Sequence, residues 1–298
     1  LFPAYKDAIS ISATTYESKI IIEENKMKFG FIKAFLLLGV AATVPSGFAE
    51  EKKSFSWPNG AKAAVNLAYD DALNTQLDNA IPALDKYYLK GSFYLILASE
   101  TIDKRLDDWR AAAVNGHELA NHTIFHQCSG AFPGRDSWVV PHRDLDKTDV
   151  NALADQIRFA NTVLFAIDGK RERTYTTPCG DLNAGGEEYL PLIQSEFVAI
   201  KSIIGGVTQN MATLDPYAVS VVTPENVTGK QLIAIVKEAA EKGTMANFTF
   251  HGIGGDHLSV SKEAHEELLK YLADNKDIYW TDTFLNIMKH VKAEQARL

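Results

Sequence analysis

From residue 63 onward, short apolar runs alternate with longer stretches whose apolar residues recur at helical spacing. The runs at 63–68, 92–97, 118–121, 173–177, 197–200, 218–222, 245–250 and 278–280 have strand length, and several of them are close to continuously apolar. That is the pattern of strands covered on both faces. Between them, 77–89 carries Leu77, Ile81, Leu84 and Tyr88 at helical intervals, and 150–167 does the same with Leu153, Ile157 and Leu164. Further helices are predicted at 106–114, 232–241, 262–274 and 284–291. Strand–helix alternation of this kind predicts parallel βαβ units. Over about 250 residues the economical closure is a single barrel with some irregularity. No internal repeat or low-complexity segment interrupts the pattern.

Ahead of this region the pattern changes. Met27-Lys28-Phe29-Gly30-Phe31-Ile32-Lys33 makes a short basic start, 34–44 is an almost unbroken apolar run, and Gly47-Phe48-Ala49 ends it with small residues. A secretory signal peptide over 27–49, cut after Ala49, is expected. The apolar run is shorter than the ~20 residues of a membrane span, so no stable span is expected. Residues 1–26 read as an extension upstream of a start at Met27. The catalytic domain is then expected at 57–298, secreted or periplasmic, with its oligomeric state open. The formal charge of −8, from 30 basic against 38 acidic residues, leaves no basic stripe for a nucleic-acid partner.

In a parallel α/β barrel the working residues stand at the C-terminal ends of strands. That rule selects Asp70-Asp71 after the first run, His122 and His126 after the third, Thr177-Pro178-Cys179-Gly180 after the fourth, and His251 after 245–250. Adjacent carboxylates at a strand end repel unless a cation or proton neutralises one, the plainer alternative being a solvated loop pair. Asp107-Asp108 repeats the pair at a helix start, where capping and the helix dipole suffice. Two imidazoles one turn apart, with a carboxylate from another strand, suit a catalytic metal site with open positions. His117-Glu118 followed by His122 has the wrong spacing for a zinc-protease helix. His117 reads as structural, and His142, His265 and His290 are placed in solvent.

These motifs resemble the polysaccharide deacetylase family, the NodB-homology or carbohydrate esterase family 4 proteins. Tyr69-Asp70-Asp71 matches the family's first motif, and His122–His126 matches its H-[ST]-x-x-H in full. Thr176-Thr177-Pro178-Cys179-Gly180 keeps the Pro and Gly of R-x-P-[YF]-G but lacks its Arg and aromatic residue. Phe248-Thr249-Phe250-His251 matches the apolar strand ending in His, and no match to the motif with Asp and a nearby Trp is found. The likeness runs from Ala63 to about Trp280.

The resemblance implies a distorted (β/α)7-type barrel with a single divalent metal, usually zinc, on Asp71, His122 and His126. It implies Asp70 as general base, His251 as general acid, Thr123 as a brace of the metal loop, and removal of acetyl groups from a carbohydrate. N-acetyl groups of an amino-sugar polymer or oligomer are the leading substrate. An O-acetyl esterase of the acetyl-xylan type, an allantoinase-like amidohydrolase and a non-catalytic glycan-binding relic stand as alternatives. The backbone N–H of Cys179 is the expected oxyanion donor. In the family the missing Arg orients the base and the missing Asp supports the acid; Lys201 and Asp256 are the candidate substitutes.

Cys128 and Cys179, the only cysteines, are expected to form a disulfide. Export delivers them to an oxidising compartment, and both lie in loops on the same rim. Two buried thiols, or one cysteine as an extra metal ligand, are the competing readings.

Overall fold

The computed structural model describes residues 54–298, and the extension and signal peptide expected over 1–49 lie outside the described residues. Eight parallel strands make the main sheet: β1 (Ala63–Asp70), β2 (Ser92–Leu95), β3 (Glu118–Asn121), β4 (Thr174–Thr176), β5 (Ala199–Ile204), β6 (Val219–Val221), β7 (Met245–Phe250) and β8 (Tyr279–Thr281). Pairing runs in chain order from β1 to β6, and β7 pairs β1 along Ala64–Tyr69. A parallel bridge between Val222 and Phe248 closes the ring. There the Val222 N–H donates to Asn247 O at 2.8 Å and the Thr249 N–H donates to Val222 O at 2.8 Å. Seven strands therefore form the barrel. The eighth, β8, pairs with Ala63–Val65 of β1, while β2 takes Ala68–Asp70.

Helices α1 (Ile81–Lys86), α2 (Leu106–Val114), α3 (Val150–Asp168), α4 (Gly229–Lys242), α5 (Lys262–Asp274) and α6 (Phe284–Arg297) fill most of the crossovers. Their ends carry the expected chemistry. The Asp149 carboxylate accepts from the N–H groups of Asn151 and Ala152 to start α3, and Gly169 ends it at φ 71°. Thr228 and Gln231 form a capping box on α4, and Ser261 and Thr283 cap α5 and α6. The crossover from β5 to β6 has no helix, which makes the barrel irregular. The helix predicted over 77–89 is split into a π-turn at Gln76–Ala80 and the short α1, with Pro82 near the junction.

Side-chain alternation along β1 decides what enters the barrel. Val65, Leu67 and Tyr69 pack outward with Phe93, Leu119, Phe248 and the helix residues Leu268 and Leu269. Ala64 and Ala68 belong to the other cluster, with Tyr94, Ala120 and Phe284. Asp70 shares their parity and points inward. The interior also holds Glu118, which accepts from Ser92 Oγ at 2.7 Å and from the Leu285 N–H at 3.0 Å, at the positive N-terminus of α6.

Of the histidines placed in solvent, His265 is buried and His290 is only partly exposed. His265 is buried on α5, with its Nε2 2.6 Å from the Tyr69 hydroxyl and its ring against Phe250. The α5 stripe that faces the barrel includes position 265 together with Leu268, Leu269 and Leu272. His290 stacks on Trp57 and reaches Ser56 O at 2.7 Å. His142 is exposed, as expected.

Candidate active site

The C-terminal ends of the strands bring the selected residues together. Asp71 follows the last residue of β1 with φ 83°, a left-handed turn that swings its carboxylate out of the strand's alternation and over the barrel mouth. His122 follows β3, and the loop after it turns back through Thr123 (φ 66°) and His126 (φ 51°). Thr123 shapes that loop: its N–H donates to Asn121 Oδ1 at 2.8 Å, and its hydroxyl oxygen accepts from the His126 N–H at 2.9 Å.

Asp71 Oδ1 lies 3.2 Å from His122 Nε2 and 3.4 Å from His126 Nε2. One ligand atom from each of the three residues falls within 4.8 Å of the others. Asp71 Oδ1 is buried and makes no hydrogen bond. His122 Nδ1 is 3.1 Å from the Thr176 carbonyl, which only accepts, so Nδ1 carries the proton and Nε2 presents a lone pair. Burial, then the neighbouring His122, lowers the His126 pKa to about 4 and favours its neutral form. Burial opposes charge on Asp71, but the neighbouring His122 and His126 imidazoles and the His257 hydrogen bond outweigh it and hold its pKa well below the usual range. An anionic oxygen without a donor, facing two imidazoles, fits a divalent cation.

Asp70 points into the barrel beside this set. Its Oδ1 is 3.1 Å from Lys201 Nζ and its Oδ2 3.4 Å from Thr176 Oγ1. Lys201 is buried on β5, donates to Thr249 Oγ1 at 3.0 Å, and sits 3.8 Å above the Tyr94 ring. Burial lowers the Lys201 pKa, with the Asp70 carboxylate working in the other direction. Of the two candidate substitutes, only Lys201 meets the side chain it was expected to support. Asp256 turns away from His251 and accepts the Thr75 N–H at 3.0 Å, because its backbone in the loop after β7 has φ 60°.

His251 ends β7, with Nε2 3.9 Å from Asp71 Oδ2, and burial lowers its pKa. Thr177, Cys179 and Gly180 line the cleft as its lip, with Pro178 buried behind them. Cys179 adopts φ 58°, and among the described residues no acceptor takes its N–H. Cys128 and Cys179 are disulfide-bonded, with Cα atoms 5.9 Å apart, tying the histidine loop to this lip. Arg135 reinforces the tie by donating to Asp181 Oδ2 at 2.6 Å and to Cys179 O at 3.0 Å.

One residue of the site escaped the sequence reading. His257 Nε2 lies 2.7 Å from Asp71 Oδ2. It sits in the glycine-rich loop after β7, and a histidine in any loop that follows a barrel strand was the available signal. The residues surround a cleft of about 730 Å³ whose outer walls are apolar, with Trp138, Ile203, Ile204 and Leu258.

Residues 58–190 match the family model for polysaccharide deacetylase. No curated protein matches the chain. A candidate polysaccharide deacetylase from Mycobacterium smegmatis superposes with a TM-score of 0.57 at 16% identity, over 81% of this chain and 94% of that one. A mutant of a CE4 family pseudoenzyme superposes with a TM-score of 0.50 at 14% identity, over 77% of this chain and 68% of that one. At these identities the superpositions speak for the fold, and the family match extends through the first three motifs. Over residues 58–190 this chain carries a polysaccharide deacetylase domain, and it shares its fold with these structures.

Proposed function

We propose that this chain removes acetyl groups from a carbohydrate, with N-acetyl groups of an amino-sugar polymer or oligomer as its substrate. The observation that carries the reading is the convergence of Asp71, His122 and His126 around the partnerless Asp71 Oδ1, with the Lys201–Asp70 pair and His251 beside it. A pseudoenzyme shares the fold, so the fold alone carries no activity; the retained Asp71, His122, His126, Asp70 and His251 favour a working enzyme over a glycan-binding relic.

A divalent ion on Asp71, His122 and His126, zinc being the expected one, would polarise the acyl carbonyl and lower the pKa of a coordinated water from 15.7 toward about 7. Lys201 fixes Asp70 in direction, so that its carboxylate can accept the proton released as water attacks. The unclaimed Cys179 N–H would serve as the donor to the developing oxyanion. His251 delivers a proton to the departing nitrogen. A secreted or periplasmic location agrees with the Cys128–Cys179 disulfide, which persists in oxidising compartments. Among the described residues no helix is long and apolar enough to cross a membrane.

Acetate release from acetylated chitooligosaccharides, peptidoglycan and acetylxylan, measured beside zinc content, tests the reading. Release from the amino-sugar substrates by zinc-loaded protein supports it. Release from acetylxylan alone moves the assignment to an O-acetyl esterase, and no release from any of them removes it.

A further inference from the structure

The two oxygens of Asp71 have different surroundings. Oδ1 faces His122 and His126 and has no hydrogen-bond donor. Oδ2 lies 2.7 Å from His257 Nε2. A carboxylate oxygen only accepts, so the His257 Nε2 carries a hydrogen and donates it. We propose that His257 is a positioning residue for the metal-holding carboxylate: it occupies Oδ2, sets the plane of the group and leaves Oδ1 as the ligand atom. The inference rests on the reading of Asp71, His122 and His126 as the metal-holding set.

The loop that carries His257 is held in shape from both sides. The Gly252 N–H donates to His257 O at 3.1 Å, and Asp256 is anchored on the Thr75 N–H. A Cβ at Gly252 would collide with the Gly255 carbonyl, so the close turn requires glycine there. Asp256 and Leu258, on either side of His257, both have positive φ. The imidazole is thus presented to Asp71 by a defined backbone. Its side chain is 55% exposed, so packing does not account for a histidine at this position, whereas the carboxylate contact does.

A second consequence concerns His251, whose Nε2 is 3.9 Å from the same Oδ2. With His257 on that oxygen, His251 is not drawn into a hydrogen bond with Asp71 and its Nε2 stays available to the cleft. Metal ligands depend on such outer hydrogen bonds, and losing one typically costs about 10–100-fold in metal affinity.

Zinc affinity of the full chain, measured by competition with a chromophoric chelator, tests this in the parent, His257→Ala and His257→Gln. His257→Ala is expected to bind zinc about 10–100-fold more weakly and to alter the visible spectrum of the cobalt-loaded protein. His257→Gln, whose amide can donate to the same oxygen, is expected to recover most of the affinity. Unchanged zinc affinity in His257→Ala overturns the proposal, as does a glutamine variant as weak as the alanine one. A thermal melt of each metal-free variant separates lost affinity from lost fold. A parent protein that takes up no zinc defeats the metal reading as well, whereas a zinc-binding parent with an indifferent His257→Ala defeats this inference alone.

Discussion

The ammonium of Lys201 lies 3.1 Å from Oδ1 of Asp70, with both side chains buried inside the barrel. Lys201 comes from β5, 131 residues further along the chain than Asp70. Its other contacts, the Thr249 hydroxyl and the face of Tyr94, hold the ammonium in place without competing for its charge. Lys201→Met leaves Asp70 as a buried carboxylate without its cation, a change that typically costs about 3–5 kcal/mol. Denaturant unfolding is expected to show that loss, and Lys201→Met combined with Asp70→Asn to restore much of it. A double variant no more stable than Lys201→Met would show that the pair is not coupled.

His122→Ala and His126→Ala are expected to lose the metal and the activity together, whereas Asp70→Asn keeps the metal and loses turnover. Metal analysis beside kinetics decides the assignment. Metal loss in Asp70→Asn with turnover surviving in Asp71→Asn would mean that the two aspartates have exchanged roles.

The Cys128–Cys179 bridge closes a loop of 51 residues. Through the unfolded chain, a bridge of that span contributes about 4 kcal/mol. The Cys128→Ser, Cys179→Ser double variant is expected to unfold at lower denaturant concentration by a comparable amount. Thiol titration of denatured, unreduced parent protein is expected to find no free thiol; two free thiols would contradict the bridge.

Burial pushes the His265 pKa down to about 3 from an ordinary value of 6.5. The folded protein holds this imidazole neutral, so below pH 6.5 the unfolded chain binds the extra proton and stability falls as the pH drops toward 3. Within that window the slope is roughly 1.4 kcal/mol per pH unit. His265→Gln keeps an acceptor for the Tyr69 hydroxyl but does not titrate. Its stability is expected to fall less than the parent's between pH 7 and 4.5. Identical pH dependence in the two proteins would exclude His265 as a source of acid sensitivity.

The strand–helix alternation, the rim positions of Asp70, His122 and His251, and the pairing of two cysteines were legible along the chain. Each rests on a local pattern: consecutive apolar residues make buried strands, and residues just past a strand end face the barrel mouth. His265 was misplaced because a single helical position does not reveal which face of the helix meets the sheet. Asp256 was overestimated because nearness in sequence to His251 says nothing about a backbone turned by positive φ.

By itself the sequence determined the strand–helix alternation and the order in which the rim residues appear, since periodicity and residue chemistry are properties of short segments. The tertiary structure alone decided which charges meet. The parity of β1 sends Asp70 inward, and ring closure through Val222 and Phe248 brings Lys201, Thr249 and Asp70 to one point. The loop after β7 carries His257 back 186 residues to Asp71. Ion pairs and hydrogen bonds act over about 3 Å, and only the closed barrel brings residues so distant in sequence to that separation.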